Sequence, residues 1–475
     1  MKSPEFGIHH KMVFSGQDAL INYFNPESHP PIPLVEIPND LNPYCEDRVR
    51  VFGKIMSATP LANVKCLPAY HMLEQALKAG KLANIERIYE SSSGNTAFSL
   101  TVIARALGID DVNIFVSSSI SPEKLAFLKL LGITVIVNQE PMCPDPEDPE
   151  SGINKAKNYA MQFQGYCPSQ YDNPMNPDAH YRWTGPQIFW QLDGNLQIYA
   201  ATLGTTGTIL GSGRFLKEHL PNLKVVGVAS AEDKVRLGPR SKNSLKEIGF
   251  PWQEFVDVVV EVEDKEAYEL SLKLFQRGFM AGPSSGFNLA GLYRYIEGIK
   301  RDGSLDSFRN SSGEIVCVCI FPDGPLPYLN SYQTNVSSEL MSKVLNEHLL
   351  KSELLKAEIL TDRGLYPANV FELLQSDRNV EIWDIRKEID YERFRIQGAK
   401  RIDVELIESM TDEKIGYLTR ENIYVIVVDC GLADFSYSGV LASMIFRKGI
   451  NAFYMIGGMD DWSKAGFPVD RGYFK

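Results

Sequence analysis

The feature that most narrows what this 475-residue chain can fold into is the turn Glu90-Ser91-Ser92-Ser93-Gly94-Asn95-Thr96. Ile88-Tyr89-Glu90 reads as the end of a strand, and Ala97 to Leu107 reads as the helix that it feeds. Such a turn presents backbone N–H groups and hydroxyls to an anion. The same form recurs at Ile198 to Ala201, Gly204-Thr205-Thr206-Gly207-Thr208 and Leu210 to His219, with glycines spaced so that backbone can approach a phosphate closely. Two cradles imply two anionic groups. Upstream, Asn63-Val64-Lys65 opens a helical pattern through Tyr70, Leu73 and Leu77, so an amine is available to a compound held by those turns.

An amine that can condense with a carbonyl, beside a phosphate turn and a second anion turn, suggests pyridoxal 5'-phosphate (PLP). Lys65, Ser92 to Thr96, Gln170-Tyr171-Asp172-Asn173-Pro174, Thr184-Gly185-Pro186, Gly204 to Thr208 and Gly282-Pro283-Ser284-Ser285-Gly286 occur in the order found in the cysteine synthase and cystathionine β-synthase family. The chain resembles that family over roughly residues 30 to 345. Any one of these motifs is weak, because short Gly/Ser/Thr runs arise in ordinary turns; six in order, each at a strand or helix junction, are specific.

The resemblance implies an α/β protein of PLP fold type II, tryptophan synthase β-like, with two subdomains around the cofactor and a homodimeric assembly. It makes Lys65 the cofactor-bearing lysine and general base. Gly204, Thr205, Thr206, Gly207 and Thr208 become the phosphate loop, and Asn95 the partner of the cofactor's 3'-oxygen. Ser92, Ser93, Gly94, Thr96 and Gln170 become the site of a substrate carboxylate. Relatives set a Ser or Thr hydroxyl against the pyridine nitrogen, and the segment Phe321-Pro322-Asp323-Gly324-Pro325 has Gly324 at the corresponding position. Asp323 is the lesser candidate for that contact. Asn63 stands where relatives carry Ser, and Cys66-Leu67 replaces their Asp-Arg, so the lysine's local support must differ.

The reaction so implied is β-replacement on an O-activated, serine-like amino acid through an aminoacrylate, with a thiol, sulfide or amine as nucleophile. One rival is PLP-dependent elimination or γ-replacement, since the Ser91 to Ala97 turn also resembles threonine synthases; Thr184-Gly185-Pro186 favours the cysteine synthase side. A sulfur carrier and a non-catalytic scaffold are the readings from other classes.

Length calls for two or three domains. Residues 50 to 345 alternate β-branched runs with helical periodicity, as in a doubly wound protein. The charged stretch Ser337 to Ala357 reads as a helix, and the boundaries expected are 12–350 for the PLP domain, 351–360 for a linker and 361–475 for a second α/β domain. Val380 to Arg386, Gln397 to Ile402, Tyr424 to Cys430 and Phe453 to Val469 resemble the rhodanese family in order and spacing. Cys430, after an apolar strand and before a helix, is the candidate persulfide carrier there. Its loop is about two residues longer than usual for that family, lacks Arg and Lys, and contains Asp434, which favours a binding or structural domain over an active sulfur transferase.

A net charge of −12 with no Lys/Arg cluster argues against a nucleic-acid or anionic-membrane partner. No apolar run reaches the ~18–20 residues needed to span a bilayer, and the seven cysteines are odd in number with no C-x-x-C pair. The expectation is a cytoplasmic enzyme acting on a small amino acid, without disulfides or a metal. Met1 to Lys11, with His9-His10, reads as an appended leader rather than a fold element or a metal site.

Overall fold

Ile315–Phe321 is a near-continuous apolar run, Ile-Val-Cys-Val-Cys-Ile-Phe, and all seven residues are buried. A strand of that kind belongs in the middle of a parallel sheet covered on both faces. In a computed structural model of the chain it does lie there. The structure describes residues 12–139, 145–231, 239–245, 248–342, 359–404, 411–431 and 437–471. The chain divides into two compact units, Met1–Met341 and Ser342–Lys475. Met1 to Lys11, most of the charged stretch after Met341, and Asp434 lie outside the described residues.

In the first unit the strands are β1 (Leu34–Glu36), β2 (Val49–Ile55), β3 (Arg87–Ser91), β4 (Asp111–Ser117), β5 (Thr134–Asn138), β6 (Ile198–Thr202), β7 (Lys224–Ser230), β8 (Val258–Val262) and β9 (Ile315–Phe321). They form a six-stranded sheet in the order β1-β2-β9-β6-β7-β8 and a three-stranded sheet β3-β4-β5. Only β1 runs antiparallel to its neighbour. Two apolar clusters cover the faces of the larger sheet, one around Tyr199, Leu203 and Val225, the other around Val226, Phe287 and Phe321. Cys317 and Cys319 are core residues whose thiols burial pushes up, so they are packing groups rather than nucleophiles. The helix expected over Pro122 to Leu131 is present as Pro122–Leu130, with the Ser121 hydroxyl accepting from Lys124 N and a proline in the first turn.

The second unit has a parallel sheet in the order β10-β15-β14-β11-β13, from β10 (Gly364–Leu365), β11 (Val380–Asp384), β13 (Lys400–Arg401), β14 (Tyr424–Val428) and β15 (Ala452–Met455). A two-stranded ribbon pairs β12 (Arg395–Ile396) with β16 (Val469–Asp470). Asp384 and Arg386 of the Asp-x-Arg motif form a buried bidentate pair, with Arg386 Nε and Nη2 donating to Asp384 at 2.9 and 2.7 Å. Among the described residues no group of His, Cys, Asp and Glu could hold a metal ion, and no helix is long and apolar enough to cross a membrane.

Candidate active site

Parallel strands deliver their following loops to one edge of a sheet, the usual position for ligands in such folds. Here the loops after β2, β3, β6 and β9 converge on a cavity of about 190 Å³. Lys65, Ser92, Ser93, Gly94, Asn95, Thr96, Gln170, Gly204, Thr205, Thr206 and Thr208 all line it. Motifs up to 143 residues apart in the chain are thus brought to one place.

Lys65 precedes the helix Cys66–Lys78. The altered flank explains how it is held: Asn63 Oδ1 accepts from Lys65 N at 2.9 Å and from Ser99 Oγ at 3.1 Å, while Asn63 Nδ2 donates to Leu61 O. Cys66 is buried in the core, its thiol pushed up to about 11 by burial. Among the described residues Lys65 Nζ has one long hydrogen bond, 3.4 Å to Thr205 Oγ1. Burial holds its ammonium down at about 8. A second buried lysine shows the difference. Lys54 on β2 places its three donors on Ile32 O, Gln187 Oε1 and Gln191 Oε1 at 2.7 to 3.0 Å, so it is a satisfied structural tie. Lys65 has no such set and faces the cavity.

The turn after β6 leads into the helix Gly207–His219. Thr206 adopts a left-handed conformation there, φ 66°, and its hydroxyl is buried without a hydrogen-bond partner. An orphaned hydroxyl at the N-terminus of a long helix, beside Thr205 and Thr208, fits a bound phosphate. Gly207 does not line the cavity. A Cβ there would lie 2.3 Å from Asn176 Oδ1, so the glycine makes room for Asn176. Asn176 in turn donates to Thr205 Oγ1 (3.2 Å) and Gln170 O (2.7 Å), fixing both loops.

Behind the phosphate turn stands His180, in the π-helical turn His180–Thr184. Its ring bonds Thr184 Oγ1 at 2.9 Å and Thr208 Oγ1 at 3.1 Å. Burial, then the Lys65 charge, hold it down at about 3, so it is a neutral imidazole. Neither Asn176 nor His180 announces itself in the sequence, although both fall between the Gln170 and Thr184 motifs.

The turn after β3 is tied to Gln170. Thr96 Oγ1 donates to Gln170 Oε1 at 2.6 Å, and Gln170 Nε2 donates to Ser91 O at 2.9 Å. Beneath them the buried Glu90 carboxylate accepts from Ser91 N (2.9 Å) and Gln170 N (3.3 Å); burial pushes it up to about 7. Ser92 Oγ accepts from Gly94 N and Ala97 N, so it also caps the helix Asn95–Ala106 while lining the cavity.

Asn95 Nδ2 donates to Asp323 Oδ2 at 2.6 Å, and Tyr328 OH donates to the same oxygen at 2.7 Å. Asp323 Oδ1 is buried without a partner, and burial raises this carboxyl. Gly324 lines a neighbouring cavity rather than the one that holds Lys65. Ser284, from the start of the helix Pro283–Arg301, also lines the Lys65 cavity.

A buried, poorly satisfied lysine between two strand-to-helix turns on a parallel sheet suits a carbonyl cofactor. The chain belongs to the family described as pyridoxal-phosphate dependent enzyme, whose model matches residues 27–305, and residues 367–465 match the rhodanese-like domain. It is 31% identical over 312 residues to a probable cysteine synthase of Bacillus subtilis (strain 168), covering 63% of this chain and 93% of that protein. It is 29% identical over 307 residues to the cysteine synthase of Aquifex aeolicus (strain VF5), covering 63% and 88%. Among solved structures, the O-acetylserine dependent cystathionine β-synthase from Helicobacter pylori superposes with a TM-score of 0.53 at 24% identity, covering 67% of this chain and 97% of that one. This is a PLP-dependent enzyme of cysteine synthase-like fold carrying a C-terminal rhodanese-like domain.

Proposed function

We propose that the chain catalyses β-replacement on an O-activated serine-like amino acid, with Lys65 as the lysine that carries PLP. The observation behind this reading is the contrast between Lys65 and Lys54: one buried amine faces a polar cavity with a single long hydrogen bond, the other is fully engaged. The cofactor, when bound, supplies the electron sink that makes the α-proton of the amino acid removable. Gly204, Thr205, Thr206 and Thr208 hold its phosphate, Asn95 its 3'-oxygen, and Ser284 offers the hydroxyl toward its ring nitrogen. Ser92, Ser93, Gly94, Thr96 and Gln170 receive the substrate carboxylate, which replaces the internal hydrogen bond between Thr96 and Gln170. Lys65 Nζ, with an ammonium near 8, is available in part as a neutral amine around neutrality and takes up the α-proton. Neutral His180 keeps a second positive charge away from that amine.

For the C-terminal unit we propose a binding or structural role rather than sulfur transfer. Partial burial raises the Cys430 thiol, and the carboxylates of Asp390, Asp429 and Asp384 add to that against the Arg386 charge. Such a thiol holds little thiolate at neutral pH. The test of the whole reading is product analysis with O-acetylserine and sulfide, combined with borohydride reduction and peptide mapping. Cysteine formation with PLP trapped on Lys65 is expected; trapping on another lysine overturns the assignment.

A further inference from the structure

A second cavity, of about 420 Å³, adjoins the one that holds Lys65. Both are lined by Ser93, Gly94, Asn95, Lys124, Asp323 and Tyr328. The hydrogen-bonded cluster of Asn95, Asp323 and Tyr328 is therefore a partition with the reactive cavity on one side and this annex on the other. Beyond it the chemistry changes. Leu61, Phe98, Phe127, Leu128, Met280 and Leu326 make the annex largely apolar.

Three of those residues stay substantially wet, with Phe127 44%, Met280 42% and Leu326 61% exposed. The apolar wall thus runs from the partition out to the surface. Concave apolar surface that continues a polar, reactive cavity is suited to the apolar part of a ligand whose reacting end lies in that cavity. Gly324 lines the annex. Its backbone is outside the left-handed region, and a Cβ would meet only Met280 Cε at 3.6 Å, an ordinary contact. Neither backbone nor packing demands glycine there; what the missing side chain preserves is space.

We infer that the annex seats the apolar body of the nucleophile, so that the second substrate is an alkyl or aryl thiol rather than sulfide alone. The inference rests on the β-replacement reading. The thiol sulfur reaches past Asn95 toward Lys65 while its hydrocarbon remains among Phe98, Phe127 and Leu128. In the net reaction the C–O bond of the activated serine breaks and a C–S bond forms. The thiol proton leaves with the released carboxylic acid, and no oxidant or reductant is needed.

The experiment uses the full-length protein loaded with PLP, O-acetylserine as the first substrate, and sulfide, methanethiol, propanethiol and butanethiol as nucleophiles. KM is expected to fall about fourfold for each added methylene, the ratio that corresponds to ~0.8 kcal/mol per buried CH₂. Met280→Trp, which puts bulk into the annex from its wet rim, should raise KM for butanethiol at least tenfold and move sulfide turnover less than twofold. Phe127→Ser, which removes apolar wall instead of filling space, should flatten the same series. Calorimetric binding of 1-butanol, which carries the hydrocarbon without the thiol, should be measurable in the parent protein and lost in Met280→Trp. A flat KM series with normal sulfide turnover overturns the annex and leaves β-replacement standing. No product with any nucleophile, sulfide included, overturns the β-replacement reading and with it the nucleophile assignment. A flat series together with self-association that Leu326→Glu abolishes assigns the face to a second copy of the chain and also overturns the proposal.

Discussion

The turn after β6 and the turn after β14 have the same form, a parallel strand leading into a helix, and they are filled in opposite ways. At the first, the Thr206 hydroxyl is buried without a partner at the start of Gly207–His219. At the second, the chain supplies its own anion: Asp429 Oδ2 accepts from Ser438 N at 3.0 Å and Ser438 Oγ at 2.9 Å, and Oδ1 accepts from Gly431 N at 3.0 Å. Ser438 lies at the beginning of the helix Tyr437–Arg447. One helix start carries a buried hydroxyl without a partner among the described residues; at the other, the Ser438 N–H and hydroxyl are already taken by the residue before Cys430. A strand–turn–helix is therefore not a site by itself. The occupancy of its donors decides.

The most forceful attack on this contrast is to remove the amine beside the open turn. Lys65→Ala should lower β-replacement by roughly 10⁴-fold, the upper range for a general base, and abolish the borohydride-reducible linkage to PLP. In the parent protein without cofactor, the rate of PLP attachment should rise with pH and level off above about 8 rather than near 10.5. Because the folded ammonium is easier to deprotonate than the unfolded one, Lys65 makes the native state more stable as pH rises through that window.

Next in size is Arg386→Met, which leaves the buried Asp384 carboxylate unpaired. Removing one partner of a buried pair costs about 3–5 kcal/mol, so the C-terminal unit should melt earlier in calorimetry. Turnover with O-acetylserine and sulfide should change less than twofold at temperatures below that transition.

A smaller effect is expected at Glu90. Its carboxyl sits near 7 in the folded protein against an ordinary 4.5, so the native state holds the proton more tightly, and stability falls as pH rises from 4.5 to 7. Glu90→Gln lacks this loss. The melting temperature of the variant relative to the parent should climb across that window, by an amount equivalent to on the order of 2–3 kcal/mol. A constant difference would show that the carboxyl is not desolvated as its surroundings imply.

The smallest effect is at the filled turn. Cys430→Ser should alter turnover with a free nucleophile less than twofold. Alkylation of Cys430 by iodoacetamide, followed by mass spectrometry, should still be accelerating at pH 9. A persulfide on Cys430 that passes to the amino-acid product would erase the distinction between the two turns.

Much of the site was legible because its parts are local. Gly-rich turns between apolar strands, and a lysine opening a helix, are short-range patterns, and Lys65, Ser92 to Thr96 and most of the 204–208 loop line one cavity. What escaped depends on side chains arriving from elsewhere. Ser284 reaches the cavity from a helix start, whereas counting along β9 pointed to Gly324. The closeness of Asn176 to Gly207 is likewise invisible in the local pattern. In the second unit, attention to the loop after Cys430 missed Asp429, whose carboxylate folds back onto the helix start.

The Asn63 amide joins two parts of the active site that the chain keeps apart. Its single oxygen receives both the Lys65 backbone N–H and the hydroxyl of Ser99, which belongs to the helix rising from the carboxylate turn. That oxygen acts as a common pivot. The altered flank of Lys65 thus fastens the start of the lysine helix and the helix that begins at Asn95 to one shared acceptor.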